Sequence, residues 1–145
     1  MANRALVAGE TITTAGRTIG EADITLFAGL AGDFTPIHMD AAFAQTTPFG
    51  ERIAHGPLTM SSAIGLLTQT GLLGERVIAL VNLNWDFSGP VRIGDTIRAK
   101  VTVEEVRPTS REGRNLVTFL LNVANQRGES VQTGRMRVVV KADLS

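Results

Sequence analysis

The side chains able to act on a substrate fall in two short segments of this 145-residue chain. The first reads Asp33-Phe34-Thr35-Pro36-Ile37-His38-Met39-Asp40 and sets a carboxylate and an imidazole five residues apart. Neither a helix nor an extended strand turns two such positions to the same side, but a stretch bent at Pro36 lets them converge. A carboxylate accepts a proton, and an imidazole with a reference pKa near 6.5 holds or releases one around neutrality. An acid–base pair sharing one water is the minimum equipment for adding water across a double bond. The second segment, Ala54-His55-Gly56-Pro57, leads into an apolar helix. A helix start leaves N–H groups unpaired and carries partial positive charge. Glycine admits a ligand close to the backbone, and Pro57 has no N–H to offer. The Gly56 N–H is therefore the natural donor to a carbonyl oxygen, as in an oxyanion hole.

Each of these residues also has a purely structural reading. Asp33 can cap a turn after Gly32, and His38 can be a hydrogen-bonded core histidine. Asp40 reads as the cap of a short helix beginning AAFA. His55 is structural or lines a pocket. Ser61 either lines the pocket from the helix or, being small, permits close packing. Trp85 and Phe87 occupy expected core positions on a strand.

Composition removes other chemistries. With no cysteine there are no disulfides, thiolate zinc sites or cysteine nucleophiles. Two histidines and scattered carboxylates suggest no metal set. Fourteen basic against fourteen acidic side chains give zero net charge, so nucleic acid is not an expected partner. Residues 53–74 carry no charged side chain, but prolines, glycines and hydroxyls interrupt them. They read as a helix buried in a soluble core rather than a membrane span. The first twenty residues hold no apolar run of signal-peptide length, so a cytoplasmic location is expected.

The elements that must position the two segments follow from periodicity. Residues 10–19, rich in Thr and Ile, predict a first strand. Residues 21–31 show a helical period stopped at Gly32. Residues 33–54 are irregular, and residues 58–72 predict the main helix, with Pro57 in its first turn. From Val77 the odd positions through Trp85 and Phe87 are apolar, which is strand alternation. Further strands are predicted over 96–103, 115–125 and 130–140, joined as a meander of antiparallel hairpins. The class is α+β: one domain over residues 1–145, with about five antiparallel strands wrapped around one long helix. A sheet of this size leaves open edges and little volume for a deep pocket, which predicts a homodimer.

The segment from Asp33 to Asp40, followed by His55-Gly56, resembles the MaoC-like (R)-specific enoyl-CoA hydratases and dehydratases, whose fold is the hotdog. The resemblance runs over about residues 10–140 and includes Phe87-Ser-Gly-Pro-Val-Arg-Ile-Gly-Asp95. It implies that Asp33 and His38 are the catalytic pair, holding a water that attacks C3 of a 2-enoyl thioester, with one removing a proton and the other supplying one to C2. It also implies that the Gly56 amide binds the thioester oxygen; beside these, Thr35, His55 and Ser61 are expected as substrate-side residues. Coenzyme A enters as part of the substrate, and no separate cofactor is implied. The family commonly has asparagine where this chain has Thr35, which places substrate contacts near His38 in question. Two other functions fit the same fold: an acyl-CoA thioesterase, and a non-catalytic acyl-CoA-binding partner subunit.

Overall fold

The computed structural model describes residues 4–142. Two short strands, β1 (Thr11–Thr13) and β2 (Arg17–Thr18), precede helix α1 (Glu21–Ala31). Two single-turn helices follow, α2 (Pro36–Met39) and α3 (Ala41–Ala44), and then the main helix α4 (Gly56–Thr68). A 3₁₀ turn at Gly74–Arg76 leads into β3 (Val77–Phe87), β4 (Thr96–Pro108), β5 (Arg114–Ala124) and β6 (Ser130–Lys141).

The strands form one antiparallel sheet in the order β1-β4-β5-β6-β3, with β2 also on β4. The expected first strand is thus two pieces. At the break the Thr14 hydroxyl accepts the Ala99 N–H at 2.9 Å, taking the place of a ladder carbonyl. The expected meander holds for β4, β5 and β6. The exception is β3, which crosses over to pair with β6 and forms a sheet edge.

The core lies between the concave sheet face and α4. Ala99, Val101 and Val103 of β4, Val117, Phe119, Leu121 and Val123 of β5, and Met136, Val138 and Val140 of β6 are buried against Leu66 and Leu67. The strict alternation seen in β4 and β5 puts those side chains on one face. Phe119 is fully buried at the centre of the sheet, so its replacement by alanine costs about 3–5 kcal/mol.

The predicted helix end at residue 72 is four residues too late. The Thr68 and Thr70 hydroxyls donate to the Gly65 and Leu67 carbonyls at 2.7 and 2.6 Å, as second bonds to carbonyls that also accept the Gln69 and Thr70 N–H groups at 3.0 Å, a local side-chain alternative to continuing the helix. Gly71, two residues past the cap Gln69, then takes φ 83°, a left-handed conformation that glycine reaches at no steric cost.

Strand β3 also departs from its expected pattern. The register with β6 shifts between Leu80 and Asn82, so the alternation that sends odd positions to the core does not hold through the strand. Leu80, Val81 and Phe87 are each 53% exposed, and Trp85 is half-buried. Phe87 is therefore not a core residue of this chain, and Trp85 only borders the core.

Candidate active site

The stretch after α1 is less irregular than its prolines suggest. Thr35 precedes α2, with Pro36 in the first helical turn. Asp40 caps α3 as expected, its carboxylate accepting the Phe43 N–H at 3.0 Å. The bend at Thr35-Pro36 brings Asp33 and His38 together. A ligand-type side-chain atom from each of Asp33, His38 and His55 lies within 4.8 Å of the others.

The hydrogen bonds determine which atoms remain available. His38 Nδ1 lies 2.8 Å from the Ile53 carbonyl. A carbonyl only accepts, so Nδ1 carries the proton and Nε2 keeps the basic lone pair. The Arg52 Nε–H donates to the His38 carbonyl at 2.7 Å, and so anchors its backbone. His55, fully buried, donates from Nε2 to the Asp33 backbone carbonyl at 2.9 Å. Its ring stacks on His38 with centroids 4.0 Å apart and meets Phe27 at 4.9 Å. His55 is thus a structural link between the two segments, tied to the backbone of one candidate catalytic residue and the ring of the other.

Thr35 has a specific task. Its backbone N–H and its hydroxyl both donate to Asp33 Oδ1, at 3.1 and 2.5 Å. These two bonds, the hydroxyl foremost, hold the Asp33 carboxyl below the usual carboxylate range. The hydroxyl that replaces the family's asparagine is therefore engaged with the partly exposed Asp33.

The second segment opens α4. Leu58 and Thr59 both send their N–H groups to the His55 carbonyl, at 3.0 and 3.2 Å. Pro57 has none, so the Gly56 N–H is the first-turn donor left without a partner among the described residues. A side chain at position 56 would force the Phe87 ring to shift, because a Cβ there would meet it at 2.8 Å. The Gly56 carbonyl accepts from Gln132 Nε2 at 3.0 Å.

A cavity of about 310 Å³ opens beside these groups, with His38, Ile53, Gly56, Thr59, Phe87 and Gln132 among its walls. The 87–95 segment closes another side. Its Val91 carbonyl accepts the Ala54 N–H at 2.7 Å, and buried Asp95 caps its turn by accepting the Arg92 N–H at 2.9 Å. Asp33 adjoins His38 but is not itself in the cavity wall. Ser61 is exposed on α4 and does not line the cavity; Thr59, two residues earlier, does. The Thr59 hydroxyl is buried and has no hydrogen-bond partner among the described residues.

The three-residue cluster invites a test as a metal site, since the fold gathers what the sequence scatters. His38 Nδ1 and His55 Nε2 already serve carbonyl groups. The remaining lone pairs belong to rings tilted only 26° from parallel and stacked face to face. They lie in nearly parallel planes and do not converge on one point at the 2.0–2.1 Å that a zinc–imidazole bond requires. The arrangement suits an imidazole base beside a carboxylate.

Sequence reasoning missed Thr59 and Gln132. A signal for Gln132 exists: it is the one polar side chain on the inward face of β6 that continues through Gly134, Met136, Val138 and Val140.

An open cavity lies beside an imidazole, a carboxylate and a helix-start amide that has no partner among the described residues, a set of groups able to do acid–base chemistry on a scaffold of one long helix against an antiparallel sheet. Comparison with known proteins narrows the class. Residues 4–125 match the family model described as a MaoC like domain. The chain is 42% identical over 126 residues to an (R)-specific enoyl-CoA hydratase of Rhodospirillum rubrum, covering 87% of this chain and 83% of that one. It is 37% identical over 118 residues to an (R)-specific enoyl-CoA hydratase of Aeromonas caviae, covering 81% and 84%. A crystal structure described as a monoamine oxidase regulatory protein from Archaeoglobus fulgius superposes with TM-score 0.88 at 40% identity, covering 94% of this chain and 91% of that one. The chain belongs to the MaoC-like dehydratase family, and it is an enzyme of the hydro-lyase class.

Proposed function

We propose that this enzyme hydrates a 2-enoyl-CoA thioester to the (R)-3-hydroxyacyl-CoA, and catalyses the reverse dehydration. The observation that carries this reading is the convergence of Asp33 and His38 beside the free Gly56 N–H. Water, oriented by the Asp33 carboxylate, gives a proton to His38 Nε2 as its oxygen bonds to C3. Negative charge moves onto the thioester oxygen, where the Gly56 N–H stabilises it. The imidazolium then returns a proton to C2, so that one water has been added and both residues are regenerated. The resemblance divides the two proton transfers between the two residues. The depressed pKa of Asp33 makes it a poor proton donor and favours His38 as the carrier.

The assay is the loss of conjugated enoyl absorbance from crotonyl-CoA, with stereochemical analysis of the product. Release of free thiol would identify a thioesterase instead, and binding without turnover a non-catalytic subunit. No separate cofactor takes part in this scheme.

The same reading includes a cytoplasmic homodimer. Support for the dimer comes from β3, an edge strand with Leu80, Val81 and Leu83 exposed, a surface that water alone covers poorly. A monomer in sedimentation at micromolar concentration would overturn it. Among the described residues no helix is long and apolar enough to cross a membrane.

A further inference from the structure

The Gly56 amide is a mobile part in a place that demands precision. Glycine swivels freely, and a residue preceding proline is disfavoured in the helical conformation. Gly56 nevertheless forms the first residue of α4, directly before Pro57. Something must hold it there, and the sheet supplies three side chains that do.

Gln132 is 2% exposed. Its amide nitrogen donates to the Gly56 carbonyl at 3.0 Å, and its amide oxygen accepts the Trp85 indole N–H at 2.9 Å. This fixes the orientation of the amide, since only the nitrogen end can face Gly56. Trp85 is itself held in place. It stands opposite Gly134 in the β3–β6 ladder, and its ring lies so close over that glycine that a Cβ there would fall 2.0 Å from Cε3. Phe87, opposite Gln132 in the same ladder, presses its ring against the Gly56 Cα. On the other side, the preceding peptide is anchored through His55 and its bond to the Asp33 carbonyl. Gly56 is thus clamped on both flanks, and one clamp comes from β6.

We propose that Gln132, oriented by Trp85, is a positioning residue that sets the direction of the Gly56 N–H toward the thioester oxygen. Gln132 lies outside the residues that the family model matches. The inference rests on the reading of Gly56 as the oxyanion donor. Fixing the Gly56 carbonyl fixes its ψ, and so settles how the donor peptide sits relative to the rest of the helix. The effect falls on the charge developing at the thioester oxygen rather than on the affinity for coenzyme A.

The test uses the full chain and compares wild type with Gln132→Met and Trp85→Phe. Methionine keeps the length of glutamine and removes both hydrogen bonds. Gln132→Met is expected to lower kcat on crotonyl-CoA roughly 10²-fold, the scale of a misplaced catalytic group, with KM raised by no more than the factor of thioester preference lost in the second readout below, about threefold. Trp85→Phe leaves the Gly56 bond in place but frees the amide to rotate, and a fall of about tenfold in kcat is expected, again with little change in KM. A second readout is the ratio of affinities for butyryl-CoA and for S-butyl-coenzyme A, a thioether with no carbonyl oxygen. Wild type should prefer the thioester, and both variants should lose that preference. A packing role alone would lower the melting temperature without changing this ratio. Should Gln132→Met fail to fold, Trp85→Phe decides: a wild-type ratio and wild-type kcat in that variant overturn the proposal. If wild type itself shows no preference for the thioester, the oxyanion reading of Gly56 fails, and the proposal falls with it. A preference in wild type that survives both substitutions overturns the role of Gln132 alone.

Discussion

The two segments that make the site are held in place by different means. Asp33 is fixed by a residue two positions away, through both the N–H and the hydroxyl of Thr35. Gly56 is fixed by a residue 76 positions away, through Gln132 on β6. In the proposed reaction the first segment carries the proton chemistry; its Asp33 carboxylate is held locally, while the His38 ring and the Asp33 carbonyl are tied to Ile53 and His55. The second carries the proposed backbone donor, whose own carbonyl is held through tertiary structure. On that reading a local side chain tunes a charge and a distant one aims a dipole. The two kinds of support should fail in different ways when broken.

The largest effect is expected from Asp33→Ala or His38→Ala, which remove the proton chemistry itself. Hydration should fall at least about 10²–10⁴-fold. Asp33→Ala should barely move the melting temperature, its side chain lying outside the core, whereas His38→Ala also loses the bond to the Ile53 carbonyl and the stack on buried His55 and should lower it modestly. Near wild-type turnover in either variant would end the acid–base reading. Next comes Gly56→Ala, which keeps the amide but drives a methyl into the Phe87 ring. A fall of roughly 10²-fold in kcat is expected, and relief by a second substitution, Phe87→Ala, would locate the damage in that contact.

A smaller and more local effect belongs to Thr35→Val. Losing the hydroxyl removes the main cause that depresses the Asp33 pKa, so that pKa rises toward the ordinary value. The contribution of ionised Asp33 is lost as pH falls through its pKa, but the scheme also needs neutral His38, so the check is the Asp33 carboxyl titration itself, followed by carbon NMR, which should move to higher pH in the variant. An unmoved titration would show that the Thr35 hydroxyl does not set the Asp33 pKa. The stability contribution has the same sign, present at neutral pH and lost as pH drops through the folded-state value.

The smallest effect is expected from Thr59→Val. It replaces a buried, unpartnered hydroxyl by a methyl of the same shape, so stability should be unchanged or higher by up to about 1 kcal/mol. A melting temperature lowered by several degrees would reveal a partner for that hydroxyl.

These differences also explain what could be read from the sequence. The Asp33 and His38 spacing, the Asp40 cap and the Gly56-Pro57 helix start depend on neighbours in the chain, and the structure places them as expected. The strands of β4, β5 and β6 were readable because each buries one clean face. The split of residues 10–19 was not, because it depends on Thr14 reaching Ala99 across the sheet. Trp85 and Phe87 were misassigned to the core because alternation reveals a face but not what covers it. Their strand lies at the sheet edge, and their rings serve Gly134 and Gly56. Ser61 was preferred over Thr59 as a pocket residue because hydropathy alone does not rank two small polar residues on a helix apolar nearly all round. The role of His55 as a link between segments required both stacked rings to be seen.

The contact between Gln132 and Gly56 has a consequence in time. During synthesis the helix start leaves the ribosome long before its anchor exists. At about 5–20 residues per second, the 76-residue separation represents several seconds. In that interval Asp33, Thr35, His38 and His55 are already synthesised, while the Gly56 carbonyl lacks its Gln132 partner. On the proposed reading the protein acquires its proton-transfer groups first and its aim last, when the final strand closes on the sheet.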